Sequence, residues 1–362
     1  MTITRRTFTG LAAGTLAAAA LGPRAALAAP KVKAGFIYVG PIGDHGWSYQ
    51  HNAGRLGLME ALGGDVATSF VESVSEGADA ERVIRQLATT GHDIIFTTSF
   101  GYMNPTLKVA RQFPKVKFEH CTGFNRAGNV STYSGRFYEG RHVVGLMAAK
   151  MTKTKTLGYV ASFPIPEVVR GINAITLAAR SIDPEITTKV VWVNSWYDPG
   201  KEADAAKALI DQGVDVLFQH TDSPAPVQVA QERGIKTVGQ ASDMARFGPD
   251  AHMTAIVDYW DAYYIERVKA VMDGTWESKD TWGGFAADMV HMAPFNPNLP
   301  ADVVSMAEAA VEGIASGKVH PFAGPVVKQG GEVVAKADEI ISDEALLSMN
   351  YYVEGVQGDL PS

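Results

Sequence analysis

The chain has 362 residues, 46% of them hydrophobic and 20% charged, with 32 Lys and Arg against 39 Asp and Glu and a single cysteine, Cys121. That length suits two domains of about 150 residues each. A net charge of −7 argues against nucleic-acid binding, which asks for a basic patch, and one cysteine excludes an intrachain disulfide.

Thr4-Arg5-Arg6-Thr7-Phe8 is a twin-arginine pattern, and Ala26-Leu27-Ala28 is an A-x-A cleavage site. The apolar run over 11–21 between them is too short to span a membrane as a helix. The expectation is a signal peptide over 1–28, cleaved near Ala28, that sends the folded chain to the periplasm by the twin-arginine route. Losing Arg5, Arg6 and Arg24 takes the formal charge from −7 to −10. No cysteine lies near the cleavage site, so no lipid anchor is expected there. No later run reaches about 18 apolar residues, so no membrane span is expected either.

Strand and helix patterns then alternate. Ala34-Gly35-Phe36-Ile37-Tyr38-Val39 reads as a strand buried on both faces. It leads into a loop over 40–52, Gly40-Pro41-Ile42-Gly43-Asp44-His45-Gly46-Trp47 and onward, and a helix over 55–62. Strands are predicted over 66–71, 94–97 and 116–120, with helices over 78–89, 104–110 and 138–151. This is a βαβ series, which implies a mostly parallel sheet.

The polar run Thr152-Lys153-Thr154-Lys155 breaks the pattern and is read as a domain crossing. The series restarts with strands over 157–161, 190–193, 214–218 and 237–239 and helices over 168–181, 203–210 and 227–233. Gly91-His92-Asp93-Ile94-Ile95-Phe96 resembles Gly213-Val214-Asp215-Val216-Leu217-Phe218, which indicates two similar lobes. Further on, helices are predicted over 263–272 and 301–316, and strands over 255–257, 283–292 and 351–353. A hairpin is predicted over 325–335, turning at Gly330-Gly331. The boundaries expected are 30–152 for the first lobe, with 262–318 returning to it, and 153–261 for the second, with 319–362.

Catalytic signatures are missing. There is no G-x-S-x-G elbow, no H-E-x-x-H, no cysteine pair and no P-loop. His45 and His51 are the only close histidine pair in a candidate site, so no metal and no cofactor is expected. In an open α/β sheet ligands bind beyond the carboxyl ends of the strands, and there the loops combine aromatics with amides and carboxylates. From the first lobe they supply Asp44, Trp47, Phe100, Tyr102, Asn104 and Glu139, and from the second Asn194, Trp196, Asp222 and Asp243. Such a set suits a flat heteroaromatic ligand, stacked between rings and read by in-plane hydrogen bonds. Several have duller readings: Asp44 as a helix-dipole partner, Asn104 as an N-cap, Glu139 as a cap, and Trp47 as helix packing.

Gly43-Asp44-His45-Gly46-Trp47, Ser99-Phe100-Gly101-Tyr102, Tyr138-Glu139-Gly140, Trp192-Val193-Asn194-Ser195-Trp196-Tyr197-Asp198-Pro199 and Gly239-Gln240-Ala241-Ser242-Asp243 occur in that order. Together they resemble the basic membrane protein family of ABC-transporter substrate-binding proteins, which includes purine nucleoside receptors. The resemblance covers about 31–321. It implies a type I periplasmic-binding fold, two doubly wound lobes joined by a hinge of three crossing segments, with a purine ligand between them. It implies that Trp196 stacks on the base and Asp243 holds ribose hydroxyls. It also implies an ABC permease complex in the inner membrane as partner, and a monomeric receptor with no enzymatic activity. The first loop departs from the nucleoside-binding Asp-x-Ser-Phe-Asn pattern. In addition, Asp258-Tyr259-Trp260 stands where a lysine is usual, which tilts the expectation toward a free base such as adenine. Alternatives from the residues are a sugar receptor of the same fold, a nucleoside-processing enzyme, and a sensor ectodomain presenting its ligand to a membrane kinase.

Overall fold

The computed structural model describes residues 29–361; the predicted signal peptide lies outside the described residues. The first sheet contains β1 (Val32–Ile37), β2 (Val66–Val71), β3 (Ile94–Thr97), β4 (Lys117–Cys121), β5 (Val130–Gly135) and β11 (Asp280–Gly283), in the order β2-β1-β3-β4-β5-β11. Every pairing in it is parallel. The second sheet contains β6 (Thr156–Ala161), β7 (Thr187–Trp192), β8 (Val216–Gln219), β9 (Lys236–Ala241), β10 (His252–Asp258), β12 (Val290–Met292) and β15 (Val356–Gln357). Its order is β12-β10-β9-β8-β6-β7-β15. Only β12, of these, runs antiparallel to its neighbour.

The orders 2-1-3-4-5 and 7-6-8-9-10 are the same path through two sheets. The two look-alike segments of the sequence end in β3 and β8, the same strand of each lobe. Helices cover the sheets: α1 (Gly46–Leu62), α2 (Ala78–Thr89) and α3 (Met103–Ala110) in the first lobe, and α4 (Phe137–Met151), α5 (Pro166–Ile182), α6 (Pro199–Asp211) and α7 (Ala225–Arg233) in the second. With both faces covered, a parallel strand reads as a continuous apolar run; Ala34, Phe36 and Ile37 of β1 are fully buried.

The chain changes lobes between β5 and α4, after β10, and between β11 and β12. The first crossing therefore lies at Gly135–Phe137 and not at 152. Helix α4 packs on the second sheet. A Cβ on Gly140 would come within 2.8 Å of Ile256, and one on Gly145 within 2.6 Å of the Ile175 carbonyl in α5. The return to the first lobe is also shorter than 262–318. It comprises α8 (Asp261–Met272) and β11, after which β12 and α9 (Ala301–Ala315), packed on α4, belong to the second lobe. The strand expected over 283–292 is cut in two by this change of lobe. The hairpin is observed as β13 (Val326–Val327) and β14 (Val333–Ala335), with Gly330 and Gly331 at φ of 97° and 94°. In place of a strand over 351–353 the final pairing is made by β15. A short helix, α10 (Asp343–Leu347), packs on α5.

Helix α8 is tied to the first sheet by a buried ion pair. Glu119 of β4 is fully buried and accepts from Arg267 Nε at 2.7 Å, Tyr263 Oη at 2.6 Å and Trp276 Nε1 at 2.6 Å. Arg267 also donates from Nη2 to Ser131 Oγ and to the Glu277 carbonyl. Both charges have hydrogen-bond partners, the condition for tolerating them inside a protein.

Candidate ligand-binding cleft

The two lobes meet over the start of α1, which begins at Gly46 and not near residue 55, so Trp47 and His51 sit on a helix. Its N-terminal amides have no side-chain cap from their own lobe. Gly46 N–H instead donates to Ser242 Oγ at 2.6 Å and Trp47 N–H to Asp222 Oδ1 at 3.2 Å, both in the second lobe. Helix N-termini leave such donors open, and here the facing lobe fills them. Gly46 has φ of 81°, and a Cβ there would stand 2.8 Å from the Asp222 carbonyl oxygen, so glycine is required twice over.

Beside this contact lies a cavity with about 380 Å³ of atom-free space, part of it open solvent. The first lobe contributes Val39, Trp47, Ser99, Phe100 and Thr122; the second contributes Glu167, Trp196, His220, Asp222 and Gln240. Each follows or ends a strand, the place where doubly wound sheets bind ligands. Trp47 is held by Nε1 donating to the Thr98 carbonyl at 2.7 Å and by edge-to-face contacts with His51 and Trp260. Trp196 packs on Phe163 and donates from Nε1 across the cleft to Glu76 Oε1 at 3.1 Å. Glu76 also accepts from Ser99 Oγ and Gly101 N–H, which fixes the loop carrying Phe100.

The polar side of the cavity is acid-rich. Asp222 keeps some surface toward the cavity, yet burial raises its pKa from 3.8 to about 7 despite the Trp47 amide. His220 Nε2 stands 3.3 Å from Glu167 Oε1, and burial pushes the imidazole pKa down. Behind Gln240 is Arg141, 1% exposed, whose Nη2 donates to Gln240 Oε1. Its Nε and Nη1 have no partner among the described residues, and neither carboxylate oxygen of the buried Asp258 has one. Asp258 ends β10 beside Ser242, and its own carbonyl accepts from Gln50 Nε2 at 2.7 Å. Its carboxyl feels Glu167, Arg141 and Asp222, with burial raising its pKa above the usual range. Buried polar groups without partners cost about 1–3 kcal/mol each, more when charged; Arg141 and Asp258 lie behind the cavity and are not among the residues that line it.

Of the residues selected from the sequence, Trp47, Phe100, Trp196 and Asp222 line this cavity. Asp44 is exposed and pairs with His45 and, across the lobes, with Arg246. Tyr102 is fully buried, its Oη donating to the Val74 carbonyl, so it belongs to the core of the first lobe. Asn104 is exposed inside α3, past the position of a cap. Glu139 accepts from Phe285 N–H at 2.8 Å and braces a lobe crossing. Asn194, at φ of 51°, borders a groove on the outer side of Trp196. Asp243 is exposed, caps the Ala245 amide at 2.9 Å and faces away from the cavity. Glu76, Glu167 and Arg141 escaped sequence reasoning. Glu167 sits on a helix and Glu76 in a Ser-rich loop, neither beside an aromatic motif, while Arg141 directly follows Tyr138-Glu139-Gly140 but is one turn further along the buried helix α4.

Residues 31–315 match the family described as ABC transporter substrate-binding protein PnrA-like, the Bmp family. A purine-binding protein of Brucella abortus (strain 2308) is 58% identical over 337 residues, 93% of this chain and 96% of that protein. A putative ABC transporter glucose-binding protein of Haloferax volcanii is 38% identical over 331 residues, 91% of this chain and 82% of that one. Among solved structures, an ABC transporter solute-binding protein of Aeropyrum pernix K1 superposes with a TM-score of 0.68 at 19% identity, covering 80% of this chain and 92% of that one. One from Conexibacter woesei gives 0.65 at 21% identity, covering 80% and 98%; these two speak to the fold alone. The chain belongs to the Bmp family of PnrA-like ABC transporter substrate-binding proteins.

Proposed function

We propose that this protein captures a purine, as free base or nucleoside, between its closing lobes in the periplasm and delivers it to an ABC permease of the inner membrane. The observation that carries the reading is the cavity itself, in which Trp47 and Phe100 of one lobe face Trp196 and Asp222 of the other. Aromatic faces suit a flat ring, each pair adding about 0.5–1.5 kcal/mol beyond area burial. Glu167, His220, Asp222 and Gln240 in the lining suit a ring edge that mixes acceptors with N–H donors. The 58% identity to a purine-binding protein points the same way. The twin-arginine segment supports export, and among the described residues no helix is long and apolar enough to cross a membrane.

The Haloferax relative gives a second reading, a sugar ligand, since tryptophan and carboxylates also suit a pyranose. A thermal-shift panel of adenine, guanine, hypoxanthine, their nucleosides and glucose separates the two. A ligand at a thousandfold excess over its Kd stabilises by about 4 kcal/mol, a rise of several degrees. A rise with glucose alone overturns the purine reading. Trp196→Ala is expected to keep the fold and lose at least about tenfold in affinity by calorimetry, the scale of an exposed-to-buried aromatic contact.

A further inference from the structure

The side chains lining the cavity differ in what they can still offer a ligand. Trp47 Nε1 is committed to the Thr98 carbonyl and Trp196 Nε1 to Glu76. Ser99 Oγ donates to Glu76, and Thr122 Oγ1 to the Cys121 carbonyl. His220 is flanked on its two nitrogens by Glu167 at 3.3 Å and Tyr159 Oη at 3.4 Å. The carboxylates of Glu167 and Asp222 bring acceptors. Gln240 is different. Its Nε2 bonds to nothing among the described residues, yet it is not one of their enclosed unpartnered atoms, so it keeps surface toward the cavity that Gln240 lines. Among the described residues, Gln240 is thus the lining side chain with uncommitted N–H donors.

The orientation of that amide is set by the residue behind it. Arg141 of α4 is buried, with its stem against α5 at Gly171, where a Cβ would lie 3.6 Å from the Arg141 Cγ. Its guanidinium lies over the Tyr159 ring at 5.4 Å. A guanidinium carries donors and no acceptor, and it stays protonated. It donates to Gln240 Oε1; turned over, the amide would set N–H against N–H. Arg141 therefore makes Gln240 show Nε2 to the ligand. Gln240 is 4% exposed and stands on the inner wall, with Arg141 behind it. A purine whose N9 side points to the mouth, as a ligand that is either base or nucleoside requires, meets this wall with its N1 and C6 edge. That edge reverses polarity between two bases: adenine has an N1 acceptor beside an amino donor, and hypoxanthine an N1–H donor beside a carbonyl.

We propose that Gln240 reads the polarity of this edge, and that Arg141 is the positioning residue that fixes which polarity it reads. The proposal rests on the purine reading. Acceptors outnumber free donors in the lining, so an amino group with two N–H bonds suits it better than a carbonyl with two lone pairs, and N1 of adenine accepts from Gln240 Nε2.

Calorimetric titration of the mature protein with adenine, hypoxanthine and guanine tests it, at pH 8, above the raised Asp222 pKa of about 7. Adenine is expected to bind at least about tenfold more tightly than either 6-oxopurine, the scale of a buried donor left unpaired. Gln240→Glu puts an acceptor in the place of the donor, and Arg141→Met frees the amide to turn over; each should shrink the adenine-to-hypoxanthine ratio to within about threefold. Arg141→Lys keeps a donor behind Oε1 and should hold the ratio above about fivefold. A purely structural role for Arg141 would weaken all three bases alike and leave the ratio unchanged. Thermal melts report whether each variant is folded, and Gln240→Glu, confined to the cavity wall, decides the matter should Arg141→Met not fold. Equal affinities, a preference for hypoxanthine or guanine, or a ratio that survives Gln240→Glu or Arg141→Met in the folded protein overturns the proposal and leaves the purine reading standing. Failure of all three bases to bind overturns the two together.

Discussion

At the scale of the residue, Asp222 joins three tasks. It caps Trp47 N–H, lines the cavity and stands close to Glu202. Because burial raises its pKa from 3.8 to about 7, the closed cleft holds the proton more tightly than open solvent does. Below about pH 4 both states are protonated and closure carries no penalty. The penalty grows between about pH 4 and pH 7 and is constant above, each pK unit corresponding to about 1.4 kcal/mol at full burial. Affinity is therefore expected to fall as pH rises through that window, and Asp222→Asn to flatten the fall in calorimetric titrations. A steep fall that survives the substitution would assign it elsewhere. Trp47, Phe100, Trp196 and Asp222 are legible in the sequence because they stand in short loops or first turns after predicted strands. Asp243 stands in such a loop too, but sequence does not tell which way a loop residue points, and its carboxylate turns back onto the Ala245 amide.

At the scale of the element, the contact of α8 with β4 sets the strength of the second lobe crossing. Removing one partner of a satisfied buried ion pair leaves the other charge stranded, at about 3–5 kcal/mol. Glu119→Ala is expected to lower stability by that amount in denaturant unfolding, whereas exposed Asp79→Ala should change it by less than about 1 kcal/mol. Equal effects would show that Glu119 is not bearing α8. The helix and strand alternation from β1 to β10 is readable from periodicity, apart from β5. Its sequence Val-Ser-Thr-Tyr-Ser-Gly has the polar look of a loop. Those hydroxyls are buried and occupied, Ser131 Oγ by Arg267 and Thr132 Oγ1 by Asp280, a partnership that only tertiary structure supplies. Helix α4 was legible as a helix, but its lobe was not: a helix following a strand in sequence packs on whichever sheet the crossing carries it to.

At the scale of the whole molecule, two copies of one strand order face each other across the cleft, and the repeated Gly-x-Asp-apolar segment is visible in the sequence without any structure. The hinge is harder to read, because each crossing is short and compositionally ordinary. Across the outer rim Arg246 pairs with Asp44, both more than half exposed. Exposed pairs contribute about 0–1 kcal/mol, so Arg246→Ala is expected to change ligand affinity by less than about fivefold; a larger loss would make this pair part of the closing mechanism. The interior ties have another consequence. Gly46 N–H and Trp47 N–H are bonded only to side chains of the opposite lobe, so these two amides meet solvent when the lobes part, while the amides from the second turn of α1 onward stay in their helix. Their deuterium uptake is thus a clock for opening that needs no label. Bound ligand slows it in proportion to the closed population, and its rate in the free protein gives the resting bias of the hinge.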